Sequence, residues 1–130
     1  MVSQKLASFN NSTIILVPPE LGSESDFDYI SKTFDKYHDL NFKNYCLSIS
    51  FFPDQYFDLI LIDGRCRESC LQLSASKVKK DGFIILDNSE RESYWNAVLK
   101  NKYVLHKHYF GMGPRLKSFW RTSILKPPLS

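Results

Sequence analysis

Three apolar runs stand out along the chain: Thr13-Ile14-Ile15-Leu16-Val17, Phe57-Asp58-Leu59-Ile60-Leu61-Ile62 and Phe83-Ile84-Ile85-Leu86. None shows the strict apolar–polar alternation of a half-solvated strand. Such runs are predicted to be strands buried on both faces, as in a parallel sheet. Between them the spacing changes to that of helices. A short helix is predicted over Val2 to Phe9, ended by Asn10-Asn11-Ser12, and another from Ser25, with Phe27, Ile30 and Phe34 on one face and Asp28 completing a capping box. From His38 to Gln55 the pattern fits either a strand, through Leu47, Ile49 and Phe51, or an irregular helix.

The second half is predicted more sharply. A helix carries Leu71, Ala75 and Val78 on one face, with Lys77, Lys79 and Lys80 at its negative end, and Asp81-Gly82 closes it. Ser89 and Glu92 form S-x-x-E, the box that opens a helix turning Trp95, Val98 and Leu99 inward. Tyr103 to Phe110 and Phe119 to Leu125 read as two strands joined through Gly111-Met112-Gly113-Pro114. His106 and His108 flank Lys107 and are predicted to share one solvent-facing side. The expected fold is α/β: one domain over residues 1–130, its sheet mostly parallel with an antiparallel C-terminal hairpin.

Composition narrows the function classes. With 130 residues, 43% of them apolar, the chain can bury one core. No apolar run reaches the ~20 residues of a membrane helix, and no secretory signal is visible, so no membrane partner and a cytoplasmic location are expected. Three cysteines, Cys46, Cys66 and Cys70, are too few for a disulfide framework. Cys66 and Cys70, four apart, could meet on one helix face or pack as small hydrophobes. No acidic residue follows Glu92, whereas Lys100, Lys102, Lys107, Arg115, Lys117, Arg121 and Lys126 do. A solvated basic surface accounts for that bias, and a nucleic-acid partner is not expected from it. No G-x-S-x-G elbow is present, which argues against a hydrolase.

Candidate chemistry lies where strands end. In open α/β sheets, ligands bind outside the carboxyl ends of the strands. Asp63 follows one run, and Asp87-Asn88 the next. On parallel strands Asp63, Asp87 and Asn88 could direct oxygen ligands towards one Mg²⁺ or Ca²⁺. Alternatively, they could simply make turns and cap helices.

At this point the chain resembles a known family. DLILIDGR (58–65) and GFIILDNSER (82–91) look like the fourth and fifth strands of class I S-adenosylmethionine-dependent methyltransferases, with ILVPPE before them and YFGMGP and WRTSI after. The resemblance implies a partial Rossmann-like methyltransferase sheet spanning about Thr13 to Lys126. It places Asp63 and Gly64 beside the cofactor, S-adenosylmethionine. It assigns Asp63, Asp87 and Asn88 to a metal such as Mg²⁺, as in the branch similar to catechol O-methyltransferase, and Arg65, Glu90 and Arg91 to substrate. The family's glycine-rich turn has no counterpart here: of 5 glycines, only Gly111 and Gly113 have G-x-G spacing, within the hairpin. The chain is therefore expected to be a truncated domain, inactive alone. In the family's strand order, 3-2-1-4-5-7-6, losing two central strands would separate Thr13–Val17 from Phe57–Ile62 by about 10 Å. Either the first run moves across, or a second chain or a homo-oligomer covers the exposed strand edge. A non-catalytic interaction module using that edge, or a weak phosphate or nucleic-acid binder using the basic C-terminal stretch, is the alternative function.

Overall fold

The computed structural model describes residues 11–22, 28–32, 35–113 and 118–129. Two short strands, β1 (Glu20–Leu21) and β2 (Leu40–Asn41), pair antiparallel. Helix α1 (Lys43–Leu47) runs into a 3-10 turn over Ser48–Phe51. Then follow β3 (Phe57–Ile62), α2 (Arg67–Ser74), β4 (Val78–Leu86), α3 (Glu92–Lys100), β5 (Val104–Met112) and β6 (Phe119–Lys126).

The four long strands form one sheet in the order β3-β4-β6-β5. β3 and β4 are parallel, as the intervening helix α2 allows; β4–β6 and β5–β6 are antiparallel. The α/β class is as expected, but the sheet is mixed rather than mostly parallel, with one parallel pairing among its three.

One face of this sheet carries the core. Ile62, Ile84, Leu86 and Leu125 pack with Leu71 of α2 and with Tyr94, Ala97 and Val98 of α3. Period-two alternation sends Ile60, Ile62, Ile84 and Leu86 to this side, while the register Leu59↔Phe83, Leu61↔Ile85, Ile85↔Ile124 lines up the opposite side. On that opposite side Leu59 and Leu61 are 53% and 64% exposed. The expectation that these runs are buried on both faces is therefore corrected: unbroken apolar sequence here coexists with one covered face and one open face.

Tyr103 ties the layers together. Its phenol donates to the Leu71 carbonyl at 2.6 Å, and burial pushes its pKa up. Tyr103→Phe leaves that buried carbonyl without its donor and is expected to lower stability by about 1–2 kcal/mol in urea unfolding. A change below a few tenths would mean the bond contributes nothing net.

Other expectations are corrected in ways that share one cause, tertiary partners overriding local pattern. Thr13–Val17 is not a strand; none of it joins the sheet, and Leu16 is 88% exposed. The helix predicted to run through Val78 stops at Ser74, and Val78 to Gly82 belong to β4. There the main chain of Tyr56 and Phe57 bonds the Lys77 carbonyl, while Lys77 and Lys79 pair with Asp54 and Asp58 at 2.7 and 2.6 Å. Ser89 does not cap α3. Its fully buried hydroxyl contacts Ser123 at 2.5 Å and donates to the Arg121 carbonyl, so the helix opens at Arg91 without a side-chain cap. Leu99 points outward, unlike Val98. A register shift between Leu105 and Lys107 places His106 against Phe83 and His108 against Trp95, so the two do not share one environment. The predicted helices over Val2 to Phe9 and from Ser25 lie wholly or largely outside the described residues. The ambiguous 38–55 stretch is helical in part, and the β5–β6 connection begins after Met112. Among the described residues, no helix is long and apolar enough to cross a membrane.

Candidate functional site

The parallel pairing Ile62↔Leu86 brings the carboxyl ends of β3 and β4 side by side, so Asp63 and Asp87 do lie on one rim. What joins them is a residue the sequence pattern did not single out. Arg67, in the first turn of α2, is only 8% exposed. Its guanidinium donates to Asp63 Oδ1 at 2.9 Å, to the Gly64 carbonyl at 3.0 Å and to the Asp87 carbonyl at 2.5 Å, and lies 5.5 Å from the Tyr94 ring centre. The planar fork of arginine suits three acceptors on one arc. The one available clue was the Asp63–Arg67 spacing of four.

The remaining rim groups are also held internally. Asp87 Oδ1 accepts from Thr122 Oγ1 at 2.7 Å. Asn88 adopts a left-handed backbone at φ 50, which asparagine tolerates better than most residues, and its carbonyl accepts from the Arg91 amide. Glu90 accepts the Arg121 amide at 2.9 Å. Arg65 bonds Asp35 at 2.7 Å and stacks over Tyr37, fastening the chain around 35–37 to the rim. Arg91 donates to the Tyr94 hydroxyl at 3.1 Å. Gly64 has a packing reason for lacking a side chain: a Cβ there would collide with the Tyr45 hydroxyl.

These residues do not fit a divalent cation. A fixed guanidinium already spans the gap between the two strand ends, and a dication there would face its charge at close range. Among the described residues, no group of three or more His, Cys, Asp or Glu side chains is placed to hold a metal. Asp63, Asp87 and Asn88 are thus adjacent in the fold, but the rim's positive charge is supplied by the protein.

A second feature lies on the helix side. An open cleft of about 640 Å³ runs between α2, α3 and the segment 28–32, lined by Lys32, Cys66, Glu68, Gln72, Arg91 and Lys100 among others. Its volume is that of a small-molecule site, but its lining mixes both charge signs, and it adjoins the rim at Cys66 and Arg91. In the basic C-terminal stretch, Arg121 is committed to Ser89 and Trp95, Lys107 to Tyr109, and Lys126 to Phe83. Arg115 and Lys117 lie outside the described residues.

No family model, no curated protein and no solved structure matches this chain.

Proposed function

We propose that this chain is the later half of a class I methyltransferase-like, Rossmann-type sheet, and that it works by receiving a strand-bearing protein chain along the free edge of β3. The glycine-rich turn for S-adenosylmethionine comes with the added strands, from a partner chain or from sequence encoded upstream, and residues 1–130 alone are expected to have no methyl-transfer activity. The observation carrying the reading is the strand order. β3-β4-β6-β5, with β6 alone reversed, is the order of the family's strands 4-5-7-6. In that frame β3 is the strand whose missing neighbour would hold the cofactor.

The free edge supports the same reading. β3 pairs only with β4 among the described residues, leaving the outward-pointing main-chain groups of this six-residue strand able to bond another strand. Leu59 and Leu61 beside that edge add apolar area for the incoming chain to cover. Three unpaired thiols suit the reducing cytoplasm, which we take as the compartment. In such an assembly, Arg67 holds the β3 and β4 ends in place. Arg91, on the cleft side, is the residue best situated to meet an anionic group of the methyl acceptor.

The purified chain is expected to give no binding heat with S-adenosylmethionine, and to self-associate through β3 in the partner's absence. Leu61→Lys should abolish the self-association in light scattering while leaving cooperative unfolding intact. Cofactor binding by the lone chain would end the claim of incompleteness. A strictly monomeric chain, unchanged by Leu61→Lys at its highest soluble concentration, would end the claim about the edge.

A further inference from the structure

Two helix faces wall the 640 Å³ cleft: Glu68 and Gln72, four apart on α2, and Ser93 and Asn96, three apart on α3. The segment 28–32 closes another side, fixed by the Ile30↔Asn41 bridge and by the main chain of Ser31. The Ser31 amide donates to the Leu40 carbonyl, and its carbonyl accepts from the Asp39 amide, both at 3.0 Å. Its side chain is different. Ser31 is 3% exposed, and its hydroxyl is buried without a hydrogen-bond partner among the described residues. Buried hydroxyls are ordinarily paired, because the water they give up must be replaced. Ser31 lines the cleft, so a group seated there can supply that bond after a turn about one side-chain torsion.

Donors gather where Arg91 brings the cleft to the rim. Arg91 is the residue from which α3 starts, and no side chain caps that helix. The Glu92 and Ser93 amides therefore have no partner among the described residues, and they carry the positive end of the helix dipole. Glu92, in the same turn, does not line the cleft. The exposed Arg91 guanidinium donates to the Tyr94 hydroxyl at 3.1 Å and lies 5.4 Å from that ring's centre; among the described residues it pairs with no carboxylate. Most of its N–H donors are left for a ligand. Guanidinium, free amides and the Ser93 hydroxyl together suit a tetrahedral dianion. The rest of the lining does not continue that charge. Asp28 and Glu68 stand there with the Gln72 and Asn96 amides. Such carboxylates repel a polyanion but accept hydrogen bonds from hydroxyls.

We propose that this cleft binds a small phosphorylated polyol of the sugar-phosphate class. The phosphate sits against Arg91, the Ser93 hydroxyl and the first amides of α3. The hydroxyls of the ligand meet Ser31, Glu68, Gln72 and Asn96. One charged group followed by hydroxyls matches a lining of both signs, whereas a nucleic acid would bring successive phosphates against Asp28 and Glu68. The volume holds a molecule of that size. Neither the β3 edge nor S-adenosylmethionine takes part. The site shares only the role of Arg91 with the proposed assembly, so the two claims fail separately.

Calorimetric titration of the folded chain, without S-adenosylmethionine, tests the site with glycerol 3-phosphate, ribose 5-phosphate and glucose 6-phosphate beside inorganic phosphate and glucose. At least one of the three esters should bind, roughly tenfold or more tighter than inorganic phosphate, and glucose should give no heat. Arg91→Gln should weaken that ester by roughly tenfold or more, while Lys126→Gln, outside the lining, should leave it unchanged. Ser31→Ala should weaken the ester about three- to tenfold and leave both inorganic phosphate binding and the urea midpoint as they were, because that hydroxyl bonds nothing in the fold. Should either variant not fold, the other decides. Binding by none of the three esters, an ester held no tighter than inorganic phosphate, or an affinity indifferent to Arg91→Gln or to Ser31→Ala would overturn the proposal.

Discussion

Arg67→Leu is expected to lower the stability of the fold by about 2–4 kcal/mol, measured by urea unfolding followed through Trp95 and Trp120 fluorescence. The guanidinium is nearly sealed from water, and all its bonds go to the two strand ends it joins. Leucine fills part of the volume but leaves the Gly64 and Asp87 carbonyls without that donor. Asp63 loses less, because at 55% exposure its carboxylate is solvated again by water. The carbonyls therefore account for most of the cost, and Arg67→Lys should recover no more than about half, since a single ammonium cannot span three acceptors. Against a total stability of roughly 5–15 kcal/mol, this would be a large share. A loss under about 1 kcal/mol would show that the rim does not depend on the clamp.

Gly82→Ala is the second large effect, about 1–3 kcal/mol of destabilisation. A Cβ at Gly82 would lie 2.7 Å from the Asp58 carbonyl oxygen, 2.9 Å from Val78 Cγ2 and 3.1 Å from the Lys79 carbonyl oxygen. Two of these are main-chain atoms that cannot rotate away. To make room, β3 and β4 would have to part where their register already slips, between Phe57 and Leu59. The sign is diagnostic, because replacing a strand glycine by alanine at an uncrowded position is favourable. Gly111→Ala offers that comparison within the same sheet: nothing lies within 4 Å of its added carbon. Thermal unfolding should therefore show a drop of several degrees for Gly82→Ala and none for Gly111→Ala. Equal shifts in both would refute the packing account.

What could be read ahead of the structure was whatever short-range pattern decides. Phe57–Ile62 and Phe83–Leu86 are strands because consecutive β-branched and apolar residues favour extended chain beside a core. The two terminal strands could be placed for the same reason, and α3 from the helical spacing of Trp95 and Val98. Thr13–Val17 has an equally strong run and forms no strand. A strand is held by its neighbours' hydrogen bonds, and composition cannot state whether a neighbour exists.

The site divides along the same line. That Asp63 and Asp87 share a rim followed from two runs ending in carboxylates, given parallel pairing. That the charge between them is Arg67, that Arg65 is spent on Asp35 and Tyr37, and that Gly64 makes room for Tyr45 depended on side chains arriving from other elements. The cysteines show it most plainly. Cys66 and Cys70 are recognisable as helix neighbours, but Cys46 joins them only because α1 packs beside α2. Local sequence determined the extended and helical segments and the order of carboxylates along the chain. The tertiary structure alone decided that Arg67 also reaches the Asp87 carbonyl, which face stays open and that Cys46 meets Cys70, because each depends on contacts between elements distant in sequence.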